Sequence, residues 1–490
     1  MKKVVSLKMM LVVIGLMCSM RAAALDTSTT MVTVGDSVSI KLKTIIAYGL
    51  PTLWVETNDG VEPTCEYVYP PAGSVGATIN AEKVPGRLVM FQRLNGGDSI
   101  IYDSGDYEKN VSGMTIKVRG NTSAMASKKP YKIKLQKKFD LLMRGNDSIY
   151  KDKEWALMKD EYLFYTTGLL VSQQVGMIWN PANCYVNVII NGSYRGLYML
   201  CETVKRNPDC RLNVDKLSGY IFESDPYWWN EPVYVNSVMS PIFNYTFKYP
   251  DDEDITEEQV AYMQGVVSAY EASITDGTYP ELIDVRSFAA WCLVHDIMGT
   301  MDGGGANRYY CKYDSTGESK IVMPLIWDLD MAERAQNVWS RCHTEQMTDL
   351  FENTNKAFVN EYVKLWCQIR SSIVADVKSG LAAFRSTENG TGAVKSCILD
   401  NLVWGRNLQM DNYISNHGIW MTNRCAWLDS KIMAMHVPND VDVDGNVSID
   451  DVTALIDMLL SGNDMITGDI DGDGKVTIDD VTRLIDLLLA

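Results

Sequence analysis

Near its C-terminal end the sequence writes one twelve-residue pattern twice, 29 residues apart: Asp440-Val-Asp442-Val-Asp444-Gly445 through Asp451, then Asp469-Ile-Asp471-Gly-Asp473-Gly474 through Asp480. Oxygen-bearing side chains at positions one, three, five and twelve, with Gly at six for a sharp turn, describe a loop wound around calcium, which takes six to eight oxygen ligands. Position seven, where such a loop offers a backbone carbonyl, is Asn446 or Lys475, and position nine is Ser448 or Thr477. Two intact copies rarely arise by chance, so one calcium is expected in each. Val437-Pro438-Asn439 abuts the first loop, so no helix precedes it, and between the loops there is room for one amphipathic helix, Val452–Leu460, and a turn. Metal binding is folding free energy in such a segment, and calcium removal is expected to unfold residues 440–490 alone.

A calcium loop followed only by its exiting helix, twice, with Asp in place of Glu at position twelve, resembles a type I dockerin over nearly all of residues 440–490. The resemblance implies a small all-α module that docks on a cohesin domain. Loop positions ten and eleven, Ile449-Asp450 and Ile478-Asp479, would lie near the partner and are alike in both copies, which permits two docking orientations. The alternative is a calcium-stabilised cap that packs on its own chain.

Charge is distributed accordingly. Of the net −17, residues 440–490 carry −11, with thirteen Asp against Lys475 and Arg483, and the rest only −6. That imbalance argues for a cation-binding tail and against nucleic acid as a partner. Met1-Lys-Lys, the apolar run Leu11–Met17 and Ala22–Ala24 have the three regions of a secretory leader, with cleavage expected after Ala24 and a secreted, periplasmic or bacterial cell-surface location. No other stretch is long and apolar enough to span a bilayer. Loss of Cys18 with the leader leaves ten of the eleven cysteines, an even number in a compartment that permits disulfides. None has C-x2-C spacing and there are four His, so a zinc site is not expected. The expected organisation is a leader at 1–24, a lead-in strand region at 25–47, one α+β body at 48–436 and the calcium module at 437–490.

Within the body, alternation predicts strands at Met114–Arg119, Tyr131–Leu135, Val186–Ile190, Leu197–Cys201, Tyr220–Glu223, Arg308–Tyr313 and Ile321–Ile326. Helices fit Thr166–Gly176, Glu257–Ser273, Ile283–Gly299, Asn355–Arg385 and Trp404–Met435. Asp302 and Asn307, separated by four residues in Met301-Asp-Gly-Gly-Gly-Ala-Asn307, precede a predicted hairpin and then Ile326-Trp-Asp328-Leu-Asp330. A protein kinase presents a base, one metal ligand and a second metal-binding acid in this order, because phosphoryl transfer needs hard oxygen ligands to converge on the β- and γ-phosphates.

Further blocks surround this segment: Val118-Arg-Gly-Asn-Thr-Ser123, Ser127-Lys-Lys-Pro-Tyr-Lys-Ile-Lys-Leu135, Asn191-Gly-Ser-Tyr-Arg-Gly-Leu-Tyr-Met-Leu-Cys-Glu202, Ile221-Phe-Glu-Ser-Asp225 and a closing Ile419-Trp-Met-Thr-Asn-Arg-Cys-Ala-Trp-Leu-Asp429. In this order they resemble the CotH family of atypical secreted protein kinases over most of residues 48–435. The resemblance implies an atypical protein-kinase-like fold and ATP-dependent transfer to Ser or Thr hydroxyls of a protein substrate. Asp302 would be the catalytic base, and Asn307 and Asp328 would be ligands of Mg or Mn. Asp330 would be a further ligand or the N-cap of a helix over Met331–Ala335.

Lys132 and Lys134 share one face of their strand and are candidates for the phosphate lysine, as is Lys129; Arg119 is a competing phosphate ligand. The activating carboxylate would be Glu202 or Glu223. Tyr227-Trp228-Trp229 reads as an aromatic cluster, with stacking on an adenine or sugar as the alternative. Three consecutive glycines at 303–305 depart from the family's loop and suggest a geometry that tightens only with nucleotide bound. Two other functions remain open: a catalytically inactive binding protein in a dockerin–cohesin assembly, and a polysaccharide-degrading component.

Overall fold

Seven strands with one apolar face apiece close on themselves. They are β1 (Thr52–Thr57), β2 (Val84–Leu94), β3 (Met114–Val118), β4 (Tyr131–Phe139), β5 (Asp152–Met158), β6 (Asn183–Ile190) and β7 (Ser193–Glu202). They pair in the order β5-β4-β3-β2-β1-β6-β7, and β7 then pairs back onto β5, with Trp155 opposite Glu202 and Met158 opposite Met199. Alternate residues of every strand, among them Leu53, Met90, Ile116, Ile133, Trp155, Val188 and Leu200, form one buried cluster. A sheet that closes must fill its interior with one of its two faces, and side chains do so here. The computed structural model describes residues 25–490 apart from Ser37, Asn146, Asp147, Glu161, Gly305, Glu345, Asn463 and Asp464, so the expected leader and Cys18 lie outside the described residues.

Residues 25–47 join the barrel. The hairpin Met31–Val34 and Val38–Lys41 attaches beside β7, and the short helix Leu42–Ile46 follows it. Val32, Ile45, Trp54, Phe91 and Tyr194 cover the barrel's outer face together with Leu399 from a much later helix.

A second, antiparallel sheet of β8 (Tyr220–Asp225), β9 (Tyr234–Val235), β10 (Asn244–Tyr249), β11 (Arg308–Lys312) and β12 (Ile321–Val322) runs in the order β9-β10-β8-β11-β12. It shares the largest core with α1 (Phe164–Val175), α2 (Glu257–Asp276), α3 (Val285–Met298), α4 (Ala357–Ile369), α5 (Ile373–Ser386), α6 (Glu388–Trp404) and α7 (Met410–Ile432). In α2 the cap within the Asp254–Glu257 run is Thr256, which forms a reciprocal capping box with Gln259. Helix α3 is buried along its whole length from Ser287 to Met298 and ends on Gly299 in the left-handed conformation.

Several predicted elements differ. The helix expected over Asn355–Arg385 breaks at Arg370-Ser371-Ser372 into α4 and α5. The strand expected over Ile321–Ile326 ends at Val322, and no helix forms over Met331–Ala335, so Asp330 is not a helix N-cap. In the C-terminal module, α8 (Ile449–Ser461) and α9 (Ile478–Leu489) begin on Ser448 and Thr477, each closing a capping box with the Asp at loop position twelve. Val441, Val452, Leu455, Val481 and Leu484 give this module its own small core. The ten described cysteines are free thiols, and among the described residues no helix is long and apolar enough to cross a membrane.

Candidate active site

A cleft of about 570 Å³ opens between the barrel and the second sheet. The barrel lines it with cations: Lys117 near the end of β3, Arg119 just beyond it, Lys132 on β4, and Lys159 just after β5. The facing wall carries Asp302, Asn307, Asp328 and Asp330, with Glu223 and Asp225 of β8 beside them. A cation-lined wall facing an oxygen-rich one suits a polyphosphate carrying divalent ions, since each wall meets the opposite charge.

Strand alternation sets the barrel wall. Tyr131, Ile133 and Leu135 fill the interior, so Lys132 and Lys134 point outward, and Lys117 lies directly across from Lys132 in the β3–β4 register. Lys132 is bound by Glu154 of β5 at 2.7 Å and Lys134 by the same carboxylate at 3.1 Å. Burial works to raise the Glu154 carboxyl, but the ammonium groups of Lys132 and Lys205 outweigh it and hold it at about 2. Glu154 is therefore the lysine-pairing carboxylate, a residue that sequence reasoning missed. Glu202 is not. It shares the inward face of β7 with Leu200, where Arg144 at 2.8 Å and Arg211 at 3.7 Å hold it, and that parity keeps it from the outward lysines. Glu223 does face the cleft, paired at 2.9 Å with Lys248 of β10, a further cation not anticipated. Lys129 donates to the Ala124 carbonyl at 2.8 Å, and neither it nor Lys134 lines the cleft.

Arg119 stacks over the Trp327 ring at 5.4 Å and hydrogen-bonds Met158 Sδ. Its backbone N–H donates to the Pro130 carbonyl at 3.0 Å, and Gly120 follows in the left-handed region. Asp328 also has positive φ, +58°. Asp328 and Asp330 thus reach one cleft from an irregular turn. Of the aromatic triplet, Tyr227 lines the cleft, whereas Trp228 packs on Tyr234 and Trp229 donates to the Val75 carbonyl.

The segment from Thr300 to Gly304 is pinned from several sides. His295 Nδ1 lies 2.7 Å from Thr300 Oγ1, Met301 N–H donates to the Met331 carbonyl, and buried Arg308 donates to the Gly303 carbonyl and to Thr344. A Cβ at Gly303 would stand 3.1 Å from the His295 ring, and one at Gly304 would stand 3.2 Å from the Arg341 carbonyl. The glycines are there because the loop is squeezed between these two neighbours. Burial pushes His295 down to about 3, so its ring is neutral.

Electrostatics mark the acidic wall as short of positive charge. Partial burial, then the Asp328 charge, raise the Asp302 carboxyl to about 6, with Arg341 opposing. Burial likewise raises Asp328, against Arg119 and Lys159. Asn307, left-handed at φ +63°, makes no hydrogen bond through its side chain to a described residue. Hard oxygen donors with unfavourable mutual charge fit Mg or Mn.

In the C-terminal module, the carboxylates of Asp440, Asp442 and Asp451 converge within 4.8 Å of one another, as do those of Asp469, Asp471 and Asp480. Backbone N–H groups fold each loop onto its own carboxylates: Asp440 accepts from Gly445 at 2.8 Å, and Asp469 from Gly474 at 2.9 Å. Asp444 and Asp473, at position five, accept from the N–H of Asn446 and Lys475 at 2.7 and 2.9 Å. The donor set fits calcium in both loops.

A family model described as CotH kinase protein matches residues 116–369, more than half of the chain, from β3 to the end of α4. The match takes in both walls of the cleft. No curated protein matches the sequence.

Proposed function

The chain belongs to the CotH kinase family, and we propose that it is an exported, ATP-dependent protein kinase acting on Ser or Thr hydroxyls of secreted or surface proteins. Its C-terminal module, in this reading, is a dockerin that holds calcium in both loops and tethers the kinase to a cohesin-type domain. The observation that carries the kinase reading is the opposition of Arg119, Lys117, Lys132 and Lys159 to Asp302, Asn307, Asp328 and Asp330 across one cleft.

Each wall has its part. Lys117, Lys132, Lys159 and Arg119 draw the phosphates to the barrel, with Glu154 fixing where the Lys132 ammonium stands. Asn307, Asp328 and Asp330 hold Mg or Mn, which when bound neutralises charge on the β- and γ-oxygens. Asp302, free of the barrel's cations, would accept the proton of the acceptor hydroxyl at a carboxylate oxygen as the new O–P bond forms and the bond from the γ-phosphorus to the β–γ bridging oxygen breaks, with ADP leaving. The Gly303-Gly304 backbone, passing close to His295 and Arg341, would position the loop that follows Asp302.

The test is transfer from labelled ATP with Mg or Mn, read as autophosphorylation. Label is expected in the wild type and none in Asp302→Ala, whose fold should persist because the residue lies on the cleft surface. An unlabelled wild type that also fails to bind nucleotide would remove the kinase reading.

A further inference from the structure

The two acidic loops are alike in sequence but not in surroundings. The first is held by the kinase body: Asn360 Nδ2 donates to the Asp444 carbonyl at 2.7 Å, and Lys364 Nζ to the Asp442 carbonyl at 3.0 Å, both from α4. No hydrogen bond joins the second loop to the body among the described residues; it faces Cys367–Ser371 across an open gap of about 440 Å³. Position four differs most. The second loop has Gly472 there at φ +80°, whereas the first has Val443 at φ +57°, a region that disfavours a β-branched side chain. Val443 is nonetheless 5% exposed, and it packs in the body's core and not in that of its own module. A strained residue persists where its surroundings compensate, and here the compensation comes from the kinase body.

We propose that the first loop is the surface by which the C-terminal module grips α4, and that calcium in this loop stabilises the kinase body as well as the module. The inference rests on the calcium reading given above. Ion and helix do not compete for groups. Asn360 and Lys364 take the carbonyls at positions three and five, and the position-seven carbonyl, on Asn446, is left for the ion. Both need the same wound loop, so a ligand that favours it strengthens the grip. The contact continues inward, because Tyr362 on α4 donates to Asp296 on α3 at 2.8 Å, and α3 leads into the loop that bears Asp302. The grip also leaves Ile449 and Ile478 67% and 66% exposed, so both copies of the docking position stay open. Calcium removal is then felt beyond residues 440–490.

All twelve tryptophans precede the module, the last being Trp427, so tryptophan fluorescence reports the body alone. We would follow thermal unfolding of the full chain in calcium and in chelator, with bound calcium counted by equilibrium dialysis. The wild type should bind two ions and its body midpoint should rise by about 2–4 °C. Val443→Gly, which copies the second loop, should bind two ions with the body midpoint unmoved by calcium. The pair Asn360→Ala and Lys364→Ala lies outside the loop and should uncouple in the same way if Val443→Gly disturbs its own ion. Two ions bound with no shift in the wild type, or a shift that survives in both variants, would overturn the proposal. Absence of bound calcium would overturn the calcium reading itself, and the proposal with it.

Discussion

Asp302 holds its proton more tightly than a free aspartate, near 6 against about 3.9 in an unfolded chain. Between those values the folded chain binds the extra proton, so stability falls as pH rises through that window and stays lower above it. Asp302→Asn removes the penalty. It should raise stability at pH 7.5 by about 1 kcal/mol, allowing for screening by cleft water, and leave it unchanged at pH 4. Paired melting curves of the two proteins check this. The same carboxyl bears on catalysis: transfer by the wild type should fall once pH drops far enough to protonate the base, which bound metal ions shift below the metal-free value. A rate flat from pH 7 to pH 3.5 in protein that stays folded would remove Asp302 from that role.

At the scale of elements, the loop from Thr300 to Gly304 is held by contacts from His295, Arg308 and Met331, although its sequence reads as flexible. Gly303→Ala would drive a methyl against His295, whose ring is fixed by Thr300 and by Trp291 at 4.1 Å. The displaced loop should cost about 10²-fold in transfer, with the melting midpoint changed little, since Asp302 moves but no core is opened. Kinetics and calorimetry on one preparation separate the two effects. That Asp302, Asn307 and Asp328 would meet in one cleft was legible because they stand close together in the chain. Glu154 was not, because its pairing with Lys132 depends on the β4–β5 register, which no local pattern reveals. Helix α6 escaped notice because its opening Glu388 is followed by Asn-Gly-Thr-Gly392, poor helix formers, and its cap, Thr387, is visible only once the helix is placed. The break between α4 and α5 falls at two serines, whose hydroxyls compete for the backbone. The glycine run could not show that Gly303 and Gly304 have close neighbours, one of them, Arg341, more than 30 residues away in sequence.

For the whole molecule, one buried ion pair ties the barrel to the helical lobe. Lys128 reaches Asp400 of α6 at 2.7 Å and the Leu197 carbonyl at 2.7 Å, with both charged side chains shut off from water. Asp400→Ala should cost about 3–5 kcal/mol, and the apolar pair Lys128→Met with Asp400→Leu should recover only part of it, because the Leu197 N–H that donates to Asp400 at 2.8 Å loses its acceptor. Denaturant titration of the three variants checks the ordering. The helix that supplies Asp400 also supplies Leu399, which covers the outside of a barrel whose last strand ends at Glu202. During synthesis nearly two hundred residues must follow that strand before its cover exists. At 5–20 residues per second this is about 10–40 s in which a finished barrel carries an uncovered apolar flank. The nascent chain thus has a defined interval in which a holding chaperone has something to hold, and a ribosome stalled short of residue 388 would leave the barrel in that state.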